Sequence, residues 1–300
     1  MKRAIHLFLL MSLALTTLQC DTYDRNNFPI NEIHQLTDGF GGDVGIYLMD
    51  LESGETFEMN ADTLFPTAST VKIPIMIGII DKIEKGELMY DQMLTYDGEH
   101  DDTWGNDLIN QLKPGSDVEL SKLVHLMMST SNNTASLWNQ YLAGTGTDIN
   151  ILMDSLGFEK TRVNSRTEGR QQDWEVYGWG QTTPKELAML LLQIYRGNVI
   201  SPAASEQMYR IMTRNYWDGE ALSQIPPYVQ VASKNGAVSE SKSEVLLVNG
   251  RSGDYLFAVM TKNQADAGYE DDNEGFQLLR DVSALLYHHF EPDDDWAPAN

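Results

Sequence analysis

The sequence predicts an α/β protein of the α+β sandwich type, in which helices flank an antiparallel sheet of about five strands. Segments with the alternating or apolar pattern of strands lie near both ends of the predicted domain, two early and three late. The region between them, about 69–219, is helical and rich in loops. We therefore expect one sheet built from 41–65 and 220–290, with an inserted all-helical lobe.

The first 40 residues precede this domain. Lys2 and Arg3 stand before an apolar stretch that is too short to span a bilayer comfortably, so residues 1–19 are predicted to be a secretory signal peptide. Cys20 is the sole cysteine, and its place resembles the lipid-attachment cysteine of bacterial lipoproteins. A soluble secreted protein is the alternative. Residues 20–40 are expected to form a linker and a lead-in helix.

The domain, 41–290, begins with a predicted hairpin. Residues 43–50 and 56–59 have the pattern of strands, and the turn residues 52–55 separate them.

A serine and a lysine follow, three residues apart at the start of a buried helix. Ser69 and Lys72 precede residues 73–83, which are apolar on nearly every side. Positions i and i+3 share a helix face, so the amine can activate the hydroxyl beside the amides of the helix N-terminus. An ordinary capped helix is the alternative. Ser239 and Lys242 repeat the spacing in a polar stretch, which we interpret as a surface coincidence.

The remaining elements follow from periodicity and turn residues. Residues 120–128 and 184–195 have helical periodicity, the second opened by Thr183-Pro184. A final amphipathic helix is predicted over 274–290, before an acidic tail at 291–300 that is expected to be frayed. The predicted late strands are 228–234, 243–249 and 254–261.

Three further segments contain the partners that a serine–lysine acyl-transfer enzyme needs. They are Ser131-Asn132-Asn133, Arg166-Thr167-Glu168 and Lys234-Asn235-Gly236-Ala237. Together with the Ser-x-x-Lys pair, and in this order, they resemble the motifs of the class A serine β-lactamases and their penicillin-binding relatives. That family carries Ser-x-x-Lys, Ser-Asp-Asn, Glu-x-x-Leu-Asn in an omega-shaped loop, and Lys-Thr-Gly on a strand. The resemblance covers roughly 40–290.

The resemblance implies an acyl-enzyme mechanism without a cofactor. Ser69 would attack the lactam carbonyl, and either Lys72 or Glu168, the latter through a water, would take its proton. Ser131 would relay a proton to the departing nitrogen. Glu168 would then activate the water that removes the acyl group. The amides of Ser69 and Ala237 would form the oxyanion hole.

The resemblance also implies a set of substrate-binding residues. Asn133 would hold Lys72 and contact the substrate amide, and Gln172 would orient the deacylating water where the family has Asn. Lys234 would supply positive charge to the substrate carboxylate and to Ser131. The full substrate-binding set is Asn133, Gln172, Lys234, Asn235, Gly236, Ala237 and Trp104, the last as the aromatic that lines the family's cleft, with a surface aromatic as the alternative.

Two further positions differ from the family pattern. Asn132 stands where the family has Asp, and Asn235 stands where it has Thr. Arg166 resembles the family's loop-clamping arginine, with Asp173 or Glu175 as its expected partner.

Charge and composition limit the partners. Lys and Arg number 21 against 44 Asp and Glu, a formal net charge of -23, which repels nucleic acid and anionic membranes. We expect a small-molecule β-lactam substrate, membrane contact only through a lipid anchor at Cys20, and a monomer. The histidines form no zinc-binding run, so no metal is expected, and Glu99-His100-Asp101-Asp102 is predicted to be a solvated loop.

These observations lead to one expected function and two alternatives. The expected function is that of an exported serine β-lactamase, periplasmic or lipid-anchored to a bacterial envelope. The first alternative is a related serine hydrolase, a D,D-peptidase or an esterase. The second is a lipoprotein that binds β-lactams with little or no turnover.

Overall fold

The computed structural model describes Arg25, residues 27–102 and residues 107–298. The predicted signal peptide, Cys20 and Trp104 lie outside the described residues, so the predictions made for them stay predictions.

A five-stranded antiparallel sheet forms the centre of the fold, which confirms the predicted class. Its strand order is β2-β1-β10-β9-β8, so strands from both chain ends meet where β1 pairs with β10, Asp43 opposite Lys262. In chain order the strands are β1 (Asp43–Asp50), β2 (Thr56–Met59), β3 (Phe65–Pro66), β4 (Met93–Thr95), β5 (Asp117–Glu119), β6 (Arg162–Val163), β7 (Gly180–Thr182), β8 (Gln230–Val238), β9 (Ser241–Asn249) and β10 (Tyr255–Lys262).

The helices lie on both faces of this sheet and form most of the inserted segment, which was predicted to be all helical but also contains the short strands β4, β5, β6 and β7. Thr183 caps one of them through its hydroxyl, with Pro184 at the first position, as the sequence predicted. Among the described residues, no helix combines the length and the apolar character needed to cross a membrane. The helices are α1 (Ile30–Thr37), α2 (Lys72–Glu84), α3 (Leu120–Ser129), α4 (Asn133–Leu142), α5 (Thr145–Ser155), α6 (Gln171–Tyr177), α7 (Pro184–Tyr195), α8 (Pro202–Met212) and α9 (Glu274–Phe290).

Helix α2 lies in the middle of the larger hydrophobic core. Its first nine residues, Lys72–Ile80, are all buried, because α3, α4, α5 and α8 pack around it. Gly78 permits this crowding: a Cβ there would lie 2.9 Å from Ile149 and 3.1 Å from Ala143. A second core lies on the other side of the sheet, beneath α1 and α9. The buried position of α2 fixes Ser69 and Lys72 at the junction of the sheet and the helical lobe.

The first late strand is longer than predicted. The sequence placed its end at Lys234, but β8 continues to Val238 and pairs with β9 throughout, so Asn235 lies opposite Glu244. Asn-Gly is a common turn pair; here the ladder to β9 keeps both residues extended. The whole Lys234–Ala237 motif therefore lies within an edge strand.

The second Ser-x-x-Lys pair lies only partly on the surface: Ser239 is exposed, as predicted, whereas the prediction was wrong for Lys242. Lys242 is buried in β9, where its ammonium donates to the carbonyls of Val238 and Ser239 and lies 4.4 Å from the ring centre of Tyr269. These contacts hold the β8–β9 turn, and none of them is to the hydroxyl of Ser239.

The acidic tail is also better anchored than predicted. Glu291 is buried and accepts a hydrogen bond from Ser252, and Asp294 accepts from the hydroxyls of Tyr228 and Tyr287. Satisfied carboxylates therefore attach the described part of the tail, up to residue 298, to the domain.

Candidate active site

Ser69 lies on a short 3-10 turn, Ala68–Val71, that leads directly into α2. The turn is held at its base because Thr67 donates its amide to Gly180 and accepts the hydroxyl of Thr70. Ala68 has a φ of 44°, a left-handed conformation that is costly for a residue with a side chain. Such strain persists only where the surrounding structure enforces it.

Lys72 joins the two serines of the predicted site. Its side chain is fully buried, and its Nζ lies 2.9 Å from both Ser69 Oγ and Ser131 Oγ. Two further oxygens complete its surroundings, the Ser131 carbonyl at 2.6 Å and Asn133 Oδ1 at 2.8 Å. The structure thus brings three of the predicted residues, Ser69, Ser131 and Asn133, around the amine of a fourth, Lys72.

This arrangement suits a neutral amine. The Ser131 carbonyl and Asn133 Oδ1 can only accept, so they take two N–H groups, which are all that a neutral amine has. A serine hydroxyl can then donate to the lone pair. Burial, followed by the positive charge of Lys234, holds the pKa of Lys72 well below its usual range. A neutral lysine beside Ser69 Oγ is a general base in position.

The Ser131–Asn133 segment is shaped to serve Lys72. Ser131 has a φ of 55°, and this bend turns both its carbonyl and its hydroxyl to the amine. Asn132 caps α4 by accepting from the amide of Ala135 at 2.7 Å. Its side chain also bonds to Asp107, whose carboxylate accepts from the amide of Thr134. Asp107 therefore supplies a carboxylate beside the position where the family has Asp and this chain has Asn132.

Asp102 orients Asn133. It is buried and accepts from Asn133 Nδ2 at 3.0 Å, which leaves Asn133 Oδ1 facing Lys72. The amide of Asp102 is in turn bonded to the hydroxyl of Thr134. The prediction of a solvated loop was thus wrong for Asp102. Nothing in an acidic run signals such a contact, because its partner lies 31 positions along the chain.

Lys234 lies in β8 and is also fully buried. Its Nζ donates to the carbonyl of Asn235 at 2.7 Å and to Asn235 Oδ1 at 2.9 Å. Burial lowers its pKa to about 8, against the opposing influence of Glu244 and Glu220. The described residues show no hydrogen bond from Lys234 to Ser131, the second role that the resemblance implies.

Strand β8 runs directly against the serine turn at Gly236. A Cβ on this residue would lie 2.8 Å from both the Ser69 nitrogen and the Thr67 carbonyl oxygen, closer than carbon atoms approach such groups. Ala237, whose amide the resemblance assigns to the oxyanion hole, is the next residue along this edge strand after the close approach. Only glycine permits this approach.

Glu168 does not reach the serine and lysine. Its side chain is exposed, and the described residues show no hydrogen bond from it to Ser69 or Lys72. It lines a cavity of about 560 Å³ that Asp102 and Asn164 also line. Among the described residues, no hydrogen bond fixes the Glu168 carboxylate at this cavity.

Gln172 lies apart from this cavity. It is exposed on α6, whereas its neighbour Gln171 lines the cavity and donates to Glu175. Gln171 and Gln172 differ in this way because successive side chains of a helix point about 100° apart. Among the described residues, Gln172 makes no hydrogen bond to Glu168 and does not line the cavity.

Arg170 clamps the loop around Glu168, so the assignment of the loop-clamping role to Arg166 was wrong. Arg170 donates to Asn164 Oδ1 at 2.7 Å and Gln181 Oε1 at 2.9 Å, and pairs with Asp173 at 3.0 Å. Arg166 is exposed, with a φ of 49°, and makes no hydrogen bond or ion pair among the described residues. The clamp spans the loop because Gln181 lies on β7, beyond α6.

Sequence reasoning also missed Glu244. This residue is fully buried on β9, and one of its oxygens accepts from the amide of Ala221 at 2.8 Å. Its other oxygen has no partner among the described residues. Burial raises its pKa to about 8, and the charge of Glu220 adds to the effect. The alternating pattern of a strand gave no signal of a carboxylate on its buried face.

Comparison with known proteins gives consistent matches. The profile of the β-lactamase enzyme family matches residues 29–290. Among curated relatives, the β-lactamase VEB-1 of Pseudomonas aeruginosa is 20% identical over 258 residues, which are 82% of this chain and 85% of the relative.

The solved structures that match share the fold. PBP-A superposes with a TM-score of 0.76 at 26% identity, over 87% of this chain and 95% of that one. A variant of PBP-A, 25% identical to this chain, with a TM-score of 0.76 and coverage of 89% and 98%, has been solved as an acyl-enzyme complex with penicillin G. A β-lactamase from Chitinophaga pinensis gives a TM-score of 0.77 at 20% identity, with 88% and 99% covered.

Proposed function

The chain belongs to the β-lactamase enzyme family, and we propose that it opens β-lactam rings through an acyl-enzyme on Ser69. One observation carries this proposal: the buried amine of Lys72 lies 2.9 Å from the hydroxyls of both Ser69 and Ser131. A base between two hydroxyls can take a proton from one and return a proton through the other.

Acylation then follows from this geometry. The neutral amine of Lys72 takes the proton of Ser69 as Oγ attacks the lactam carbonyl carbon. The carbon–nitrogen bond of the lactam breaks, and its electron pair stays on the nitrogen. Ser131 donates its hydroxyl proton to that nitrogen and recovers one from Lys72. The products are a Ser69 ester and a neutral lysine, so no proton is gained or lost.

Deacylation would use Glu168 as the base that activates a water. In support, Glu168 is a carboxylate on the loop beside the cavity that Asp102 also lines. Its exposure and its lack of a bond to Lys72 leave it less well positioned than a fixed base would be. A misplacement of about 1 Å costs on the order of a hundredfold in rate. We therefore propose that deacylation is the slow step.

A second candidate function is peptidase or esterase chemistry at the same Ser69. The exposed Glu168 favours it, because a long-lived acyl-enzyme can pass its acyl group to acceptors other than water. The similarity to PBP-A adds support, because one PBP-A variant has been solved as an acyl-enzyme complex with penicillin G.

The test mixes purified protein with a chromogenic cephalosporin and follows both ring opening and intact mass. We expect a rapid burst equal to one turnover, an adduct on Ser69, and slow release. Ser69→Ala should remove both burst and adduct, whereas Ser239→Ala, the matched control from the other Ser-x-x-Lys pair, should retain both. An unchanged burst in Ser69→Ala would disprove the acylation step, and rapid release without an adduct would disprove slow deacylation.

A further inference from the structure

Asn235 accepts hydrogen bonds that Lys234 could otherwise donate to a ligand. Two of the three ammonium N–H groups of Lys234 have acceptors on Asn235, its carbonyl at 2.7 Å and its Oδ1 at 2.9 Å. Lys234 is fully buried, so it cannot leave these acceptors without losing its hydrogen bonds in a poorly solvated place. An incoming carboxylate could use the third N–H group, but it would have to compete with Asn235 for the other two.

Glu220 extends this series of hydrogen bonds beyond Asn235. Asn235 Nδ2 donates to Glu220 Oε2 at 3.0 Å, and both side chains are partly exposed. The carboxylates of Glu244 and Glu220 are the charges that act most strongly on Lys234. Glu244 is buried with a pKa of about 8, so at neutral pH it is mostly uncharged, and Glu220 balances Lys234. This end of the site therefore has no surplus positive charge.

Resting on the function proposed above, we infer that Lys234, Asn235 and Glu220 form a subsite for an uncharged hydrogen-bonding group, such as a carboxamide, and disfavour a carboxylate there. The second N–H of Asn235 Nδ2 can donate to a carboxamide oxygen. The carboxamide nitrogen can donate to Glu220. A carboxylate offers no donor and is repelled by the charge of Glu220.

The test compares two acyl donors that differ only in this group. They are benzylpenicillin and its carboxamide, in which the thiazolidine carboxylate is a primary amide. The second-order rate constant for Ser69 acylation is measured for each by intact mass at pH 7. We expect the carboxamide to react at least about tenfold faster than the acid, a difference of about 1.4 kcal/mol in activation free energy.

Glu220→Gln should lower this carboxamide-to-acid ratio about tenfold, because it removes the repulsive charge and keeps the shape of the side chain. Asn235→Thr should shift the ratio in the same direction, since it removes the amide that links Lys234 to Glu220. Glu206→Gln is the matched control: it removes one carboxylate from an exposed ion pair on α8 and should leave the ratio unchanged.

Each outcome decides the question. A carboxamide preference that Glu220→Gln and Asn235→Thr both reduce supports the subsite. A preference for the acid in the wild type, or a ratio that neither variant changes, overturns the subsite while the Ser69 adduct still upholds the proposed function. If neither compound acylates Ser69, the proposed function fails, and the subsite fails with it.

Discussion

Two buried lysines determine the state of the nucleophile. Lys72 needs a free lone pair to accept the proton of Ser69, yet an amine in water stays protonated at neutral pH. Burial disfavours the ammonium of Lys72, and the charge of Lys234 disfavours it further, while Asp102 and Asp107 act in the opposite direction. The balance favours the neutral amine. The reactivity of Ser69 therefore depends on Lys234 of β8, which makes no hydrogen bond to Ser69 among the described residues.

This dependence predicts the effect of Lys234→Met on the pH profile of acylation. Acylation requires neutral Lys72, so its rate rises with pH as Lys72 loses its proton. Removing the charge of Lys234 raises the pKa of Lys72, because a like charge no longer opposes protonation. The rising part, or limb, of the curve of acylation rate against pH should therefore move to higher pH. The measurement is the rate constant for adduct formation between pH 5 and 9.

The position of the limb, and not its height, is the readout, since Lys234→Met can also weaken substrate binding. Lys185→Met removes a surface lysine that pairs with Glu58, and its profile should coincide with that of the wild type. A limb that stays in place, or moves to lower pH, would show that Lys234 does not control the charge of Lys72.

At the scale of elements, the site depends on the contact between β8 and the serine turn. Gly236→Ala places a Cβ 2.8 Å from the Ser69 nitrogen, and neither backbone can yield without disturbing the ladder to β9 or the base of the turn. We expect acylation to slow about a hundredfold. Intact mass measures the rate, and circular dichroism verifies that the variant remains folded.

Gly219→Ala is the control for this prediction. A Cβ on Gly219 would meet nothing within 4 Å, so the variant gains the same methyl group without a clash. Its acylation rate should match that of the wild type. If Gly236→Ala reacts as fast as Gly219→Ala, the close approach of β8 does not position Ser69.

The loop that carries Glu168 depends on one arginine. Arg170→Gln removes the bonds to Asn164 and Gln181, both of which are buried. Bonds from a charged donor are worth about 1.5–3 kcal/mol each, whereas the partly exposed pair with Asp173 adds little. We expect the variant to lose about 2 kcal/mol of unfolding free energy in urea. Hydrogen exchange in residues 164–178 should also become faster.

Arg166→Gln gives the matched comparison, because it removes the same charge from the same loop. Its unfolding free energy should stay within about 0.5 kcal/mol of the wild type, as for most surface substitutions. Its hydrogen-exchange rates in residues 164–178 should match those of the wild type. Equal losses in the two variants would mean that the charge itself, and not the hydrogen bonds of Arg170, holds the loop.

The elements could be predicted closely where the local pattern decides the structure. The hairpin at 43–50 and 56–59 and the final helix at 274–290 have the predicted bounds, since alternation and helical periodicity are local properties. The prediction ended strand β8 at Lys234, because Asn235-Gly236 has the local character of a turn. Pairing with β9, a tertiary effect, outweighs that preference.

The site could be predicted in outline from four short motifs, but its contacts could not. Lys72, Ser131 and Asn133 meet as the family resemblance implies. Asp102 and Arg170 gave no signal, because each acts on a partner that only the folded chain brings near. Their roles follow from which loop packs against which helix, and residue type and spacing do not encode that.

At the scale of the whole molecule, the fold places ionisable groups in its centre. The sheet joins both ends of the chain, and Glu244 is fully buried within it, opposite Asn235 and near Lys234. In a protein with a formal net charge of -23, both burial and the surrounding negative charge disfavour the ionised form of such a carboxyl group. Its protonation is therefore coupled to the stability of the whole domain.

This coupling predicts how stability changes with pH. Glu244 has a pKa of about 8 in the folded protein, against an ordinary value of 4.5 for the unfolded chain. Between these values the folded protein holds a proton that the unfolded chain has released. The contribution of Glu244 to stability is therefore full below pH 4.5 and declines as the pH rises towards 8, with a slope of at most about 1.4 kcal/mol per pH unit.

Glu244→Gln keeps the shape of the side chain and removes its titration. The unfolding free energy of the variant, measured in urea at pH 5, 6, 7 and 8, should decline less with pH than that of the wild type, because all other titrating groups are common to both. Glu206→Gln, which removes an exposed carboxylate, should give a curve parallel to the wild type. Parallel curves for Glu244→Gln and the wild type would mean that Glu244 is already ionised in the folded protein. In that case, Lys234 would have a charged partner behind it, and Glu220 would not be the only carboxylate to balance it at neutral pH.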